Sequence, residues 1–292
     1  MYGGNSQYPN PYGAARQPTF RPWITGPLEL VTPAAGQVVS LAEARAQLLW
    51  DSDDATQDQR ITAAILVATR MCEQEISGHR QFLTATYNLP LIVWPWTSIL
   101  KLPRPPLRSV NAVTYYDTNG TLQTLAATYY LTQMPWRMPG QLERAPQQVF
   151  PPYQFDRRFP AAVNFSAGYA SPTTVSGSTL TVLAETYTAG QILQVSCSTD
   201  GVLPAPLLSD TNYFVVSPSG NSFQLALTSG GAAITLTTTG SGLLFTGRVP
   251  EEIRQAILMA VVDLIHNRGD VSIGTLQRMQ DLLNLSGYGS YA

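Results

Sequence analysis

Apolar positions recur at helical spacing in several stretches of this chain. Ile61, Ile65, Ala68, Cys72 and Ile76 fall at steps of four, three, four and four, giving one apolar helix face that Gly78 is placed to end. Ahead of them, Ser40-Leu-Ala-Glu43 is a capping box, whose hydroxyl and carboxylate satisfy amides at the start of a helix running to about Trp50. Asp51, Asp53 and Asp54 then break the pattern and offer capping oxygens to the second helix. Pro250 takes a favoured first helical position, and Glu251 and Glu252 complement the helix dipole. Ile253, Ala256, Ile257, Ala260, Val261, Leu264 and Ile265 leave that helix little polar face, so it must be buried within its own fold or against another subunit. A last amphipathic run, Leu276, Met279, Leu282, Leu283 and Leu285, leads into a tail with Tyr288 and Tyr291.

Between these helices the period shortens. Residues 82–88, 110–116, 122–125 and 163–165 read as strands, and Asn119-Gly120 as the hairpin turn joining the second and third, because Asn-Gly tolerates positive φ. Candidate strands at 180–183, 192–197, 213–217, 223–227, 234–236 and 243–246 alternate with turn signals and indicate a small sandwich or barrel. The fold class expected is α+β: a helical-bundle adaptor core with a small antiparallel β-hairpin region, plus an inserted all-β module.

Charge sharpens the division. From Ser171 to Gly247 there is no Lys or Arg, and the only acids are Glu185, Asp200 and Asp210. The expected organisation is an extended or disordered arm at 1–27, a core at 28–170 resumed at 249–269, a β insert at 171–248 and a C-terminal docking segment at 270–292. Charged residues make up 12% of the chain and the net charge is −2, which does not resemble the basic footprint of a nucleic-acid binder. Lys101 is the single Lys among 17 bases, an Arg bias found at protein interfaces and equally produced by coding bias. Cys72 and Cys197 read as buried free thiols. The run from Ala256 to Ile265 is interrupted by Asp263 and is far shorter than the roughly 18 residues a span needs, so a soluble chain with no membrane partner and no signal peptide is expected.

Chemistry is scarce. His79 and His266 sit where a His satisfies terminal helix carbonyls. There is no paired Cys-x-x-Cys, His-x-x-x-His, phosphate-cradling Gly-rich loop or Gly-x-Ser-x-Gly elbow. Asp51, Asp53, Asp54 and Asp58 lack the spacing and glycine of a calcium loop. Glu73 and Glu75 are two apart on a helix and do not face each other. No catalytic, cofactor-binding or metal site is expected, and the chain is not read as an enzyme. Tyr12, Phe20 and Trp23 near one end, with Tyr288 and Tyr291 near the other, are instead the kind of side chain that anchors a peptide arm in a partner.

Taken in order, several motifs resemble the head–tail connector adaptors of tailed bacteriophages and gene-transfer particles. They are Ser40-Leu-Ala-Glu-Ala-Arg45, Asp58-Gln-Arg-Ile61 through Glu75, Leu102-Pro-Arg-Pro-Pro-Leu-Arg-Ser-Val110, Phe165-Ser-Ala-Gly-Tyr169 and Val249-Pro-Glu-Glu-Ile-Arg-Gln-Ala-Ile257. The resemblance covers roughly residues 28–170 and 249–290; the β module, which resembles modules recurring in phage structural proteins, departs from the family pattern. It implies a structural virion protein at the head–tail interface, made in the host cytoplasm. That protein would form a homo-oligomeric ring, usually dodecameric, under the portal, with a downstream stopper or nozzle protein on its other face and DNA as passing cargo. On this reading Leu276, Met279, Leu282, Leu283, Leu285, Tyr288 and Tyr291 dock the portal, and Ile253, Ile257, Val261 and Leu264 pack the ring. The alternative is a virion-attached glycan- or receptor-binding protein acting through the β module.

Overall fold

The computed structural model describes residues 25–49, 57–76, 78–95, 99–134, 138–182, 185–267, 269–285 and 287. The N-terminal arm up to residue 24, with Tyr12, Phe20 and Trp23, and the tail tyrosines 288 and 291 lie outside them, as do Asp51, Asp53 and Asp54.

A helical-bundle core is not what the chain builds. Strand makes up 33% and helix 24%, so the fold is mostly β, with one helical layer and three sheets. The reason lies in strands that the pattern hid. Short ladders at Ile99–Leu102 (β3), Tyr130–Gln133 (β6) and Gly140–Arg144 (β7) form a three-stranded sheet in Pro-rich sequence that reads as loop. The larger sheet, five strands wide, has the order β1 (Glu29–Thr32), β2 (Ala85–Leu91), β8 (Ala161–Ala167), β4 (Leu107–Tyr116), β5 (Leu122–Thr124). Strand alternation explains its two faces. Tyr87, Leu89, Val163 and Phe165 turn inward to meet Leu100, Leu102 and Leu142 of the smaller sheet, while Thr86, Asn88, Asn164 and Ser166 lie at the alternate positions.

β8 leads almost directly into β9 (Ala170–Ser176), the first strand of the third sheet. The hinge is Gly168, at φ +144°, where an added Cβ would stand 2.7 Å from the Thr84 backbone. Only glycine fits such a close approach. The seven strands run β11 (Ile192–Leu193), β13 (Tyr213–Ser219), β14 (Ser222–Ala226), β10 (Thr179–Val182), β9, β15 (Leu244–Gly247), β12 (Val195–Cys197). Its two outermost strands are separated in sequence by Gln194 alone, whose carbonyl accepts from Gly247 N at 2.8 Å. One bent segment thus pairs with both ends of the sheet and nearly closes a barrel around Leu180, Val182, Tyr213, Val215, Phe223 and Leu225. Residues 234–236 form no ladder here; Ile234 N donates to Leu225 O at 2.7 Å, and Ile234 and Leu236 pack against the barrel core from a loop.

The helices α1 (Leu41–Leu48), α2 (Asp58–Met71), α3 (Glu251–His266) and α4 (Ile273–Leu285) share one core. Ile61, Ile65, Ala68 and Cys72 present the expected stripe, although the helix passes into a π-turn at Cys72–Ile76. Pro250 is the cap of α3 rather than its first residue.

Candidate functional site

Two buried ion pairs join the barrel to the rest of the chain. Glu43 closes the capping box of α1, accepting from Ser40 N at 2.7 Å through Oε2. Its other oxygen reaches across the fold. Oε1 accepts from the backbone N of Thr199 at 2.8 Å, from the Thr199 hydroxyl and from the Arg254 guanidinium. One carboxylate therefore holds α1, α3 and a barrel loop. Both charged side chains are more than nine-tenths buried, so removing either leaves the other charge buried without it.

The second clamp centres on Arg108 in β4. Its Nε donates to Glu185 at 2.9 Å, and its terminal nitrogens donate to the Tyr169 carbonyl at 3.0 Å and the Tyr187 hydroxyl at 3.1 Å. Glu185 Oε2 accepts from Ser171 at 2.9 Å and Tyr187 at 2.8 Å, and Ser171 lies 2.7 Å from Thr84 Oγ1. Burial works most strongly against the charged guanidinium, but Glu185 and Tyr187 together, through charge and hydrogen bonds, outweigh it and the Arg108 pKa is raised. Burial likewise pushes the Tyr187 hydroxyl up to about 12. A module without bases of its own thus has one acid neutralised by Arg108 and another, Asp210, paired with the exposed Arg248 at 2.8 Å.

Between barrel and α3 lies a polar cavity of about 320 Å³, lined by Ser196, Cys197, Ser198, Thr199, Arg248 and Arg254 among others. Cys197 is half-buried rather than fully buried, and burial raises its thiol pKa. Cys72 is fully buried and is pushed up to about 12 by that burial, so neither thiol is an activated nucleophile. Among the described residues no group of three His, Cys, Asp or Glu is placed to hold a metal ion, and no helix is long and apolar enough to cross a membrane. His266 Nδ1 lies 2.8 Å from the Val262 carbonyl in the last turn of α3, and His79 is exposed. Asp58 is engaged by Arg45 Nε at 2.9 Å.

Among the described residues Glu73, on the π-turn, is the carboxylate raised far from its usual range. Burial pushes its pKa up to about 7, against a backbone hydrogen bond from Phe82 N at 2.8 Å and the nearby charges of Arg104 and Arg70. Gln81 Nε2 also donates to it at 3.1 Å, and the Tyr87 hydroxyl donates to Gln81. This polar network ties the end of the second helix to the first residues of the large sheet.

The structure places the expected partner-binding residues mostly inside. Ile253, Ile257 and Val261 are fully buried in the helical core of a single copy, and Leu264 nearly so. Met279 and Leu283 are equally buried, and Leu276 and Leu282 pack against the same core. Leu285 ends α4, beyond which Tyr288 and Tyr291 fall outside the described residues. An apolar stripe cannot say whether its partner lies in the same chain; here the partner is the neighbouring helix. What sequence reading missed are Arg108, Glu185, Tyr187, Thr199 and Arg254. One signal was available: Glu185 is one of three acids in a long stretch without bases, so a charged partner for it had to come from elsewhere.

No family model matches the chain, and no curated protein matches it. Among solved structures, chains of gene transfer agent particles are similar. One is from the neck of an empty particle computed with C6 symmetry, at TM-score 0.49, and another from the neck of a native particle computed with C12 symmetry, at 0.43. In both, identity is 14% over 87% of this chain and 95% of the other. A chain from the virion of the native particle scores 0.44, with 14% identity over 87% of this chain and 94% of its own length. Likeness at this level says nothing of function.

Proposed function

We propose that this chain is a structural protein of a virion or virion-like particle, assembled as a ring at the neck. There it joins the portal of the head to the next tail component, lets DNA pass and catalyses nothing. The observation that carries this reading is the shared core of the resembling motifs. Segments at residues 40–45, 58–75 and 249–257 are separated by the barrel strands, yet Ala44, Ile61, Ile65, Ile253 and Ile257 pack together in one helical layer. An adaptor chain interrupted by a long insert would fold this way.

On this reading residues 28–170 and 249–269 form the adaptor, residues 171–248 the insert, and residues 1–27 an arm. Residues 270–292 remain the docking segment, through Leu285, Tyr288 and Tyr291 and the half-buried Leu276 and Leu282, since Met279 and Leu283 are spent on the chain's own core. The barrel projects from the ring as a collar or a contact with tail or capsid, held rigidly by the two clamps. A net charge of −2 avoids the counterion-driven affinity that would hold DNA in the channel.

Particles assembled without this chain test the proposal. Filled heads and free tails should accumulate separately; a normal yield of tailed particles would overturn it.

A further inference from the structure

We infer that the cavity between the barrel and α3 is a saccharide site, taking one uncharged sugar ring. This goes beyond the neck reading and does not depend on it, since a single copy supplies the whole lining.

Arg254 is the group that points to a ligand. Its side chain is only 8% exposed, yet the guanidinium is satisfied in part. Nη2 donates to Glu43. Nε has no hydrogen-bond acceptor, the Glu251 Oε2 standing 3.5 Å away. Nη1 makes no hydrogen bond among the described residues and, unlike Nε, is not sealed off, so it opens on the cavity that Arg254 lines. Donors held inside a fold without acceptors are costly, and an oxygen arriving from outside relieves them.

Charge then excludes most ligand classes. The lining carries two bases, Arg248 and Arg254, and two acids, Asp210 and Glu251. Arg248 pairs with Asp210 at 2.8 Å and Arg254 with the buried Glu43, so no base is left over for a phosphate or carboxylate. The two guanidiniums repel a metal ion, and no three ligating side chains gather among the described residues. Phe245 is the ring in the lining and is 4% exposed, which gives a nucleobase nothing to stack between. A neutral ligand that both donates and accepts remains.

The other groups suit hydroxyls. Gln194 gives Nε2 to Asn212 at 3.0 Å and keeps Oε1 free to accept. Ser198 Oγ accepts from Leu243 N at 2.9 Å and keeps its own proton to give. Arg248 and Asp210 are 58% and 69% exposed, a loose surface pair that can part to grip neighbouring hydroxyls, one donating and the other accepting. Val195 and Val249 offer an apolar patch to the C–H face of a ring. The volume, about 320 Å³, lies at the lower end of ligand pockets, which run from about 300 to 1,000 Å³, and so fits one ring rather than several.

Cys197 reports occupancy. It lines the cavity and is half-buried, while Cys72, the other cysteine of the chain, is fully buried. Glucose, galactose, mannose and N-acetylglucosamine are each titrated against the rate at which N-ethylmaleimide modifies Cys197 in the full chain. A sugar at about ten times its Kd should slow modification about tenfold. Methyl glycosides that protect as well as the free sugar identify the end of a glycan as the source; protection by the free sugar alone identifies a free monosaccharide. Protection by acetate or phosphate in place of sugars would overturn the inference in favour of an anion site. Equal protection by glycerol, or none by any compound, would leave a water-filled cavity only and overturn it as well. Asp210→Asn with Arg248→Gln, both at the surface, should keep the melting temperature and lose the protection; protection that survives would put the sugar elsewhere and contradict the assignment.

Discussion

Glu43 and Arg254 stand 211 residues apart in sequence and meet as a buried ion pair. The carboxylate is also the cap of α1 and the anchor of Thr199, so three parts of the fold depend on one side chain. Glu43→Ala or Arg254→Ala should each cost about 3–5 kcal/mol, because the surviving charge stays buried without its partner. Denaturant unfolding of both singles and the double checks this, the double costing well under the sum.

The Arg108–Glu185 clamp acts on one module. Glu185→Gln should loosen the barrel against the large sheet, with hydrogen exchange accelerated in β9 and β15, while α2 and α3 keep their protection. Uniform acceleration over the whole chain would show that the clamp is not local.

Much of the helical layer was legible in the sequence. The stripe Ile61, Ile65, Ala68, Cys72 needed only periodicity, and the Ser40–Glu43 box is present in the structure. What could not be read were contacts made by groups with one local and one distant role. Glu43 looked fully explained as a cap, and nothing local marks its second oxygen. β9 contains Pro172 and β2 contains Pro90, and a Pro removes a donor and breaks the expected strand pattern. The bundle reading failed for the same reason: helical periods announce themselves over many residues, while three- and four-residue ladders in Pro-rich sequence do not. For the candidate docking residues the apolar pattern marks burial without naming the partner, and Met279 and Leu283 are buried in the chain's own core.

Stability should respond to pH through Glu73. Its folded pKa of about 7 lies above the ordinary 4.5, so the folded state holds the proton more tightly than the unfolded chain. The contribution is full below about pH 4.5 and is lost as pH rises through 7. Glu73→Gln should remove that dependence, leaving a variant more stable than the parent at pH 8 by up to about 3 kcal/mol. Equal pH profiles for parent and variant between pH 4.5 and 8 would contradict the assignment.

The C-terminal segment divides at the end of α4. Leu283→Ala should cost about 2–5 kcal/mol, since it opens a cavity in the helical core. Truncation after Gly287 removes Tyr288 and Tyr291 and none of the described core residues, and it should leave the melting temperature unchanged while weakening portal binding. Unchanged portal affinity in the truncated chain would remove the tail from the docking surface.

The central claim is assembly on the portal, and native mass of the purified chain, alone and mixed with its portal, tests it most directly. A closed ring of many copies bound to the portal is the predicted result. A chain that stays monomeric and ignores the portal would contradict the neck reading.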